Sequence, residues 1–253
     1  MLEIDLKGKS AVVTGGSRGV GRAVALLLAD AGCDVGITYL NRAGAADAVV
    51  ADLERRGVRA WAEGGELGDP GTAERVFARA QREFGGLDIF VGNAGIWPVQ
   101  DVPLAEITDE QWRGTIQANL DSVFYTTRAA ARLIREHGRI VLISSTAGQR
   151  GEAYHADYAA TKGAIISLVK GLCVELARKD VTVNSVAPGW VDTEMCIIPY
   201  ADGGRQRVER GIPLGRVATP EDIAGPVLFL CSTLGRHITG EIVNVNGGSV
   251  LCG

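Results

Sequence analysis

The sequence is poor in the residues that build metal centres and disulfide frameworks. It has three histidines, His137, His155 and His237, and five cysteines, at positions 33, 173, 196, 231 and 252. The cysteine number is odd and no pair has CxxC or metal-ligand spacing. Neither a disulfide scaffold nor a metal site is expected, and a reducing, cytoplasmic setting is. Positive charge is not in surplus: 26 Lys and Arg stand against 30 Asp and Glu, a formal net charge of −4. A mildly acidic chain is a poor ligand for polyphosphate, so no nucleic-acid partner is expected. No apolar run approaches the roughly 20 residues of a membrane span. The first residues, Met1-Leu-Glu-Ile-Asp-Leu-Lys-Gly-Lys, show no cationic stretch leading into an apolar core, so no membrane association is expected. Pro- or Ser-rich linkers and repeats are missing, and the 34 glycines follow no period. What remains is ordinary globular stock, 46% apolar and 22% charged over 253 residues. That suits one domain, 1–253, with a substantial core.

Short apolar runs alternate with longer amphipathic ones. Strands are expected at 10–14, 34–39, 58–62, 87–92, 139–144, 181–186 and 241–245. Several are nearly continuous in apolar residues, as strands are when helices cover both faces of the sheet. Helices are expected at about 19–31, 43–56, 71–84, 109–136, 157–178 and 221–232. In the first, residues 20, 23, 24, 27 and 28 form the apolar stripe of an amphipathic helix. Thr219-Pro220-Glu221-Asp222 reads as a capped helix start, and Pro226 should bend the helix that follows. The alternation gives an α/β fold, a Rossmann-type doubly wound sandwich with a seven-stranded parallel sheet. Segment 194–218, with Gly203-Gly204 and weak periodicity, reads as a loop or mobile lid.

The first expected strand runs straight into Gly15-Gly16-Ser17-Arg18-Gly19-Val20-Gly21, and a helix follows. Glycines let the backbone turn sharply and approach a pyrophosphate, and the helix start offers unpaired N–H groups to it. The spacing Gly15-x3-Gly19-x-Gly21 differs from GxGxxG. Together with Thr14 it resembles the cofactor motif of the short-chain dehydrogenase/reductase family. Asn93-Ala94-Gly95, Asn119, Ser145, Tyr158-x3-Lys162 and Pro188-Gly189 follow in that family's order. The resemblance spans essentially the whole chain. It implies hydride transfer between a nicotinamide cofactor and a carbonyl or alcohol. Within the family the chain resembles 3-oxoacyl-acyl-carrier-protein reductases and dehydrogenases of sugars or other secondary alcohols.

Tyr158 and Lys162 stand one helical turn apart on one face. A nearby ammonium favours the phenolate and should lower the tyrosine pKa from its ordinary value near 10, making a proton donor and acceptor for a carbonyl or alcohol. Tyr154 lacks such a partner and reads as pocket lining or core. The resemblance makes Ser145, thirteen residues before Tyr158, the group that holds the substrate oxygen; Ser144 reads as a strand-end residue. Asn119 is a poor helix former inside an expected helix, which points to a local backbone role. By resemblance it loosens the helix and completes a proton relay to Lys162.

The resemblance also distributes the cofactor contacts. Gly15, Ser17, Arg18, Gly19, Val20 and Gly21 would hold the phosphates, and Glu66 and Leu67 the adenine. Asn93, Ala94 and Gly95 would lie beside the adenine ribose, and Lys162 with Tyr158 at the nicotinamide ribose. Pro188, Gly189, Val191 and Thr193 would meet the carboxamide. The family usually has a second Asn where this chain has Gly92. An acid at the end of the second strand would select NAD. This chain has Tyr39-Leu40-Asn41-Arg42 there, so Asn41, Arg42 and Arg18 favour NADP(H), with NAD(H) still open.

Substrate-side candidates are Trp97, Gln149, Tyr154, Trp190 and Met195, with Ile96, Ile197, Ile198 and Tyr200 nearby. Trp190 fits either core or substrate wall. The mostly apolar set suits a medium-sized ketone or acyl chain. Arg205, Arg207 and Arg210 fit either an acyl-carrier protein or plain solvation. The apolar C-terminal residues and the resemblance imply a homotetramer. A catalytically idle nucleotide sensor on the same scaffold would lack the Ser, Tyr or Lys, and all three are present. An epimerase or dehydratase relative would normally bring a longer chain with a substrate domain.

Overall fold

Seven stretches of the chain pair into one sheet, whose central strands Ser10–Val13, Leu87–Gly92 and Thr182–Pro188 are buried on both faces. The computed structural model describes residues 4–251. Met1, Leu2, Glu3, Cys252 and Gly253 lie outside the described residues. In chain order the first half runs β1 (Ser10–Val13), α1 (Gly19–Asp30), β2 (Asp34–Tyr39), α2 (Ala43–Glu54), β3 (Ala60–Gly64), α3 (Pro70–Phe84) and β4 (Leu87–Gly92). Then come α4 (Asp109–Ile116), α5 (Ser122–Leu133), β5 (Ile134–Ile143), α6 (Thr146–Arg150), α7 (Ala156–Leu176) and β6 (Thr182–Pro188). The chain ends through α8 (Ile197–Tyr200), α9 (Gly204–Arg210), α10 (Pro220–Cys231) and β7 (Ile242–Val245). All pairings are parallel and the order is β3-β2-β1-β4-β5-β6-β7. This is the expected doubly wound, Rossmann-type sandwich.

The sheet separates two apolar layers. On one face Val24 and Leu28 of α1 meet Ile223 and Leu230 of α10 over Val13 and Ile37. On the other, Val76 and Phe77 of α3, Val123 of α5 and Ile165 and Val169 of α7 pack on Phe90 and Ile140. Each fully buried side chain of this size contributes about 1.5–3 kcal/mol. Local chemistry sets the helix ends. The Asp69 carboxylate accepts the Gly71 and Thr72 N–H groups at the start of α3, and Gly85 ends it at φ 71°. Thr219 caps α10 as expected, and Asp222 accepts a bond from the Thr219 N–H; the helix runs on through Pro226.

Three expectations need correction. The helix expected at 109–136 is two helices joined by a π-helical turn at Gln117–Asp121, and its last residues belong to β5. That strand begins at Ile134, which pairs with Leu87, and the ladder is irregular before Ile89. The strand expected at 58–62 is β3, two residues later, because Glu63 and Gly64 pair with Thr38 and Tyr39; a polar residue and a glycine carry no strand signature. Segment 194–218 is not a plain loop. It holds a 3-10 turn at Glu194–Cys196 as well as α8 and α9, the last braced by an Arg205–Glu209 ion pair at 3.0 Å.

Candidate active site

The strand order reverses between β1 and β4, and open parallel sheets form their ligand crevice at the carboxyl ends beside such a reversal. Thr14 ties the two strands together there. Its N–H donates to Val91 O (3.0 Å), and its hydroxyl accepts from the N–H groups of Asn93 (2.9 Å) and Ala94 (3.0 Å). Asn93 Nδ2 returns a bond to Thr14 O at 2.9 Å. The Gly15 N–H donates to Thr38 Oγ1 at 3.1 Å, so β2 also holds the glycine turn. A Cβ on Gly21 would lie 2.3 Å from Gly15 O; only glycine lets α1 start this close beneath the turn. Unlike α3 and α10, α1 has no side-chain cap, and unlike α10 it has no acid in its first turn. Its first N–H groups are thus left to an anion from outside the helix.

The start of α7 is fixed by Asp157, which is fully buried. Its carboxylate accepts from Thr115 Oγ1 (2.8 Å), Gln111 Nε2 (3.1 Å) and the Tyr158 N–H (2.8 Å). Sequence reasoning passed over Asp157; an acid in a helix's first turn is too common to single out. Lys162, one turn later, is 5% exposed. Its Nζ donates to Ile143 O at 2.9 Å and lies 5.7 Å from the centre of the Tyr158 ring. Ser145, which caps α6 by accepting the Ala147 N–H at 3.1 Å, hydrogen-bonds the Tyr158 hydroxyl. Burial pushes the Tyr158 phenol up to about 12, outweighing the Ser145 bond, and burial pushes the Lys162 ammonium down to about 8. The lowered phenol pKa expected from the spacing is therefore reversed. The ammonium sits over the ring and spends a proton on a carbonyl, while desolvation acts on the phenolate directly.

Asn119 lies at the centre of the π-helical turn and is fully buried. Its Oδ1 accepts the Ile96 N–H (2.7 Å), and its Nδ2 donates to Ile96 O (2.9 Å) and Thr161 Oγ1 (3.3 Å). It joins the segment after β4 to α7. A Cβ on Gly95 would stand 3.0 Å from Asn119 Oδ1, so a side chain at 95 would press on the Asn119 amide.

A cleft of about 320 Å³ connects these groups. Its lining includes Gly15, Ser17, Arg18, Gly19 and Val20 from the turn, Glu66 and Leu67 after β3, and Asn93, Ala94 and Gly95 after β4. Ser145, Tyr158, Lys162, Pro188, Gly189, Val191, Thr193 and Met195 complete the residues singled out from sequence. Gly21 and Asn119 lie behind the wall, and Asn41 and Arg42 are exposed where α2 begins. Trp97, Gln149, Tyr154 and Trp190 are not among the lining residues. Trp97 packs edge-on against Trp190 at 6.0 Å and stacks on His155 at 4.4 Å. Gln149 donates to Asn244 at 2.6 Å, and Tyr154 is exposed at φ 66°. Sequence reasoning missed Thr38, Ala118 and Ser122, which also line the cleft, as do Glu194 and Cys196 of the segment 194–218. Glu194 Oε2 is 2.7 Å from both Arg18 Nη1 and Arg42 Nη1.

An uncapped helix start, a glycine-rich turn and two exposed arginines beside it fit a phosphorylated dinucleotide. Among the described residues no group of three or more His, Cys, Asp or Glu could hold a metal ion, and no helix is long and apolar enough to cross a membrane. A neutral phenol hydrogen-bonded to a serine and backed by an ammonium can deliver a proton to a carbonyl oxygen.

A family model described as enoyl-(acyl carrier protein) reductase matches residues 15–249. The chain is 38% identical over 250 residues to L-rhamnose 1-dehydrogenase (NAD(P)(+)) of Sphingomonas sp. (strain SKA58), covering 96% of each. It is 39% identical over 247 residues to 3-oxoacyl-acyl-carrier-protein reductase FabG of Escherichia coli (strain K12), covering 97% and 98%. Among solved structures, a short chain dehydrogenase from Burkholderia cenocepacia J2315 in complex with NADP matches with TM-score 0.90 and 38% identity, over 96% and 98% of the chains. A short-chain dehydrogenase/reductase titled glucose/ribitol dehydrogenase from Brucella melitensis matches with TM-score 0.92 and 35% identity, over 99% and 100%.

Proposed function

The chain belongs to the short-chain dehydrogenase/reductase family of oxidoreductases, and from that premise we propose that it is an NADP(H)-dependent ketoreductase of 3-oxoacyl-acyl-carrier-protein type. One observation carries the reading: Ser145, Tyr158 and Lys162 stand together in the cleft that opens on the glycine turn. A bound nicotinamide supplies the hydride. The glycine turn and the start of α1 hold the diphosphate, with Ser17, Gly19 and Val20 against it. Arg18 and Arg42, beside Asn41, receive the 2′-phosphate that distinguishes NADP(H). Glu66 and Leu67 flank the adenine, and Asn93, Ala94 and Gly95 its ribose. Pro188, Gly189, Val191 and Thr193 hold the carboxamide.

Ser145 holds the substrate carbonyl oxygen, and Tyr158 gives it a proton. With its pKa raised to about 12, the phenol is protonated throughout the neutral range, as a proton donor to a carbonyl oxygen must be. Lys162 binds ribose hydroxyls and stabilises the phenolate left behind. Asn119 is a positioning residue that keeps α7 in register with the segment after β4.

The exposed apolar side chains Ile96, Met195, Ile197 and Ile198 beside the mouth favour an acyl substrate. A sugar or polyol substrate is the second reading, favoured by Glu152. Burial raises its pKa, the Trp97 indole bonds it, and its charge is felt at Tyr158; a carboxylate beside aromatic rings is a usual receptor for hydroxyl groups. Arg205 is already engaged by Asp192 at 2.8 Å, which weakens its part in docking a carrier protein. Oxidation of NADPH and NADH with a panel of 3-oxoacyl thioesters, simple ketones and sugar lactones, followed by absorbance, tests the proposal. The reading expects the thioesters to be reduced fastest, and with NADPH. Reduction of the sugar lactones alone selects the second reading, and silence across the panel returns the idle sensor.

The whole chain would work as one dinucleotide-binding and catalytic unit, with 194–218 closing the substrate side. Phe124 on α5, Val174 on α7 and Leu251 leave apolar surface exposed in one copy, which supports a homotetramer. Buried free thiols at Cys33, Cys173, Cys196 and Cys231 suit a reducing cytoplasm.

A further inference from the structure

Glu194 is the first residue of the 3-10 turn that follows Thr193. The chain there rests on the glycine turn, since a Cβ on Gly19 would lie 3.3 Å from Thr193 Cγ2. From this position one carboxylate oxygen, Oε2, meets Arg18 Nη1 and Arg42 Nη1, each at 2.7 Å. Arg18 comes from the turn between β1 and α1, and Arg42 from the connection between β2 and α2. Three segments far apart in sequence are therefore joined at one oxygen. Two guanidinium groups converging on one anionic oxygen form the constellation that suits a phosphate monoester. Here the anion belongs to the chain itself. Its two arginines hold the Glu194 carboxyl below the usual carboxylate range, so it is ionised at neutral pH.

We infer that Glu194 is a cofactor-specificity residue: its carboxylate stands in for the ribose 2′-phosphate on Arg18 and Arg42, and a 2′-phosphorylated dinucleotide has to displace it. The inference rests on the proposed role of those two arginines. Displacement has two consequences. Part of the binding gain of the 2′-phosphate goes into breaking the Glu194 contacts and overcoming repulsion by its charge. The segment that begins at Glu194 also loses a tether to the cofactor side when the 2′-phosphate arrives. An unphosphorylated dinucleotide does neither. The arginine side chains are 51% exposed and the Glu194 side chain 44%, so each pair is weak. The expected effect is correspondingly modest, about three- to tenfold in affinity.

Adenosine 2′,5′-bisphosphate and 5′-AMP separate the two claims, because they differ only in the 2′-phosphate. Their dissociation constants are measured by calorimetry on the full chain and on Glu194→Gln. Hydrogen exchange of residues 194–200 is followed in the unaltered protein with each ligand at saturation. The expected result has three parts. The unaltered protein prefers the bisphosphate. Glu194→Gln binds it about three- to tenfold more tightly while 5′-AMP stays within about twofold. Exchange in 194–200 rises with the bisphosphate but not with 5′-AMP. A preference for the bisphosphate that Glu194→Gln leaves unchanged, or exchange that falls, overturns the displacement and leaves the cofactor reading standing. No preference in the unaltered protein overturns the role of Arg18 and Arg42, and the inference with it.

Discussion

Lys162 is buried and Tyr158 half-buried beside it, both are titratable, and their cost and use are linked. An ammonium with an ordinary pKa of 10.5 is pushed to about 8. The folded pKa lies below the unfolded one, so the charged lysine destabilises the fold. That cost is fully present below about pH 8 and fades as the pH rises towards 10.5. At about 1.4 kcal/mol per unit it amounts to about 3 kcal/mol, offset in part by the bond to Ile143 O, worth about 1 kcal/mol. Lys162→Met should therefore raise stability at pH 7 by about 1–2 kcal/mol in urea melts, and the gain should shrink above pH 8. Catalysis should be lost in the same variant. A net destabilisation at pH 7 would show that the lysine's contacts outweigh its desolvation. The pairing itself was legible as Tyr-x3-Lys. The direction of the phenol shift was not, because spacing reports proximity and not burial.

Elements place these residues, and the closest fit is that of α1 under its glycine turn. A Cβ on Gly21 would be 2.3 Å from Gly15 O and 2.5 Å from Asn93 Nδ2. One contact is with backbone, which cannot swing aside. Gly21→Ala should weaken NADPH binding at least tenfold, on the order of the 1–3 kcal/mol that overpacking costs, and should lower the melting temperature. Gly114→Ala is the control. Its Cβ would meet nothing within 4 Å on an exposed part of α4, so stability should hold or rise by up to about 1 kcal/mol. Equal effects at the two positions would contradict the packing argument. Sequence periodicity found α1 because its apolar stripe is regular. It could not see the break at Gln117–Asp121, since residues 109–133 remain helical on both sides of it. A single side chain, Asn119, marks the interruption by bonding Ile96 instead of continuing a surface. The helices of 197–210 escaped notice because they are short. The contact of Glu194 with Arg18 joins residues 176 positions apart, a pairing no local pattern contains.

For the whole molecule, the presence of seven strands was written in runs such as Leu87-Asp-Ile-Phe-Val-Gly, buried throughout. Two helical layers need such strands, and that requirement made the fold and the crevice legible before the substrate pocket. The substrate side depends on how Trp97, His155, Trp190 and Tyr200 stack on one another, which composition does not fix. The proposed homotetramer predicts a particle of four chains in light scattering at micromolar concentration, with the exposed Phe124, Val174 and Leu251 as candidates for its contacts; a monomer would contradict that proposal. The central claim is that a fold built to hold a dinucleotide delivers its proton through one phenol. Substituting Tyr158→Phe removes that oxygen and little else. The direct measurement pairs the NADPH dissociation constant with the reduction rate of the best substrate at pH 7. The account predicts binding within about threefold of the unaltered protein and a rate lower by at least about a hundredfold, the range of a lost general acid. A variant that binds NADPH and still reduces the carbonyl at close to the original rate would contradict it.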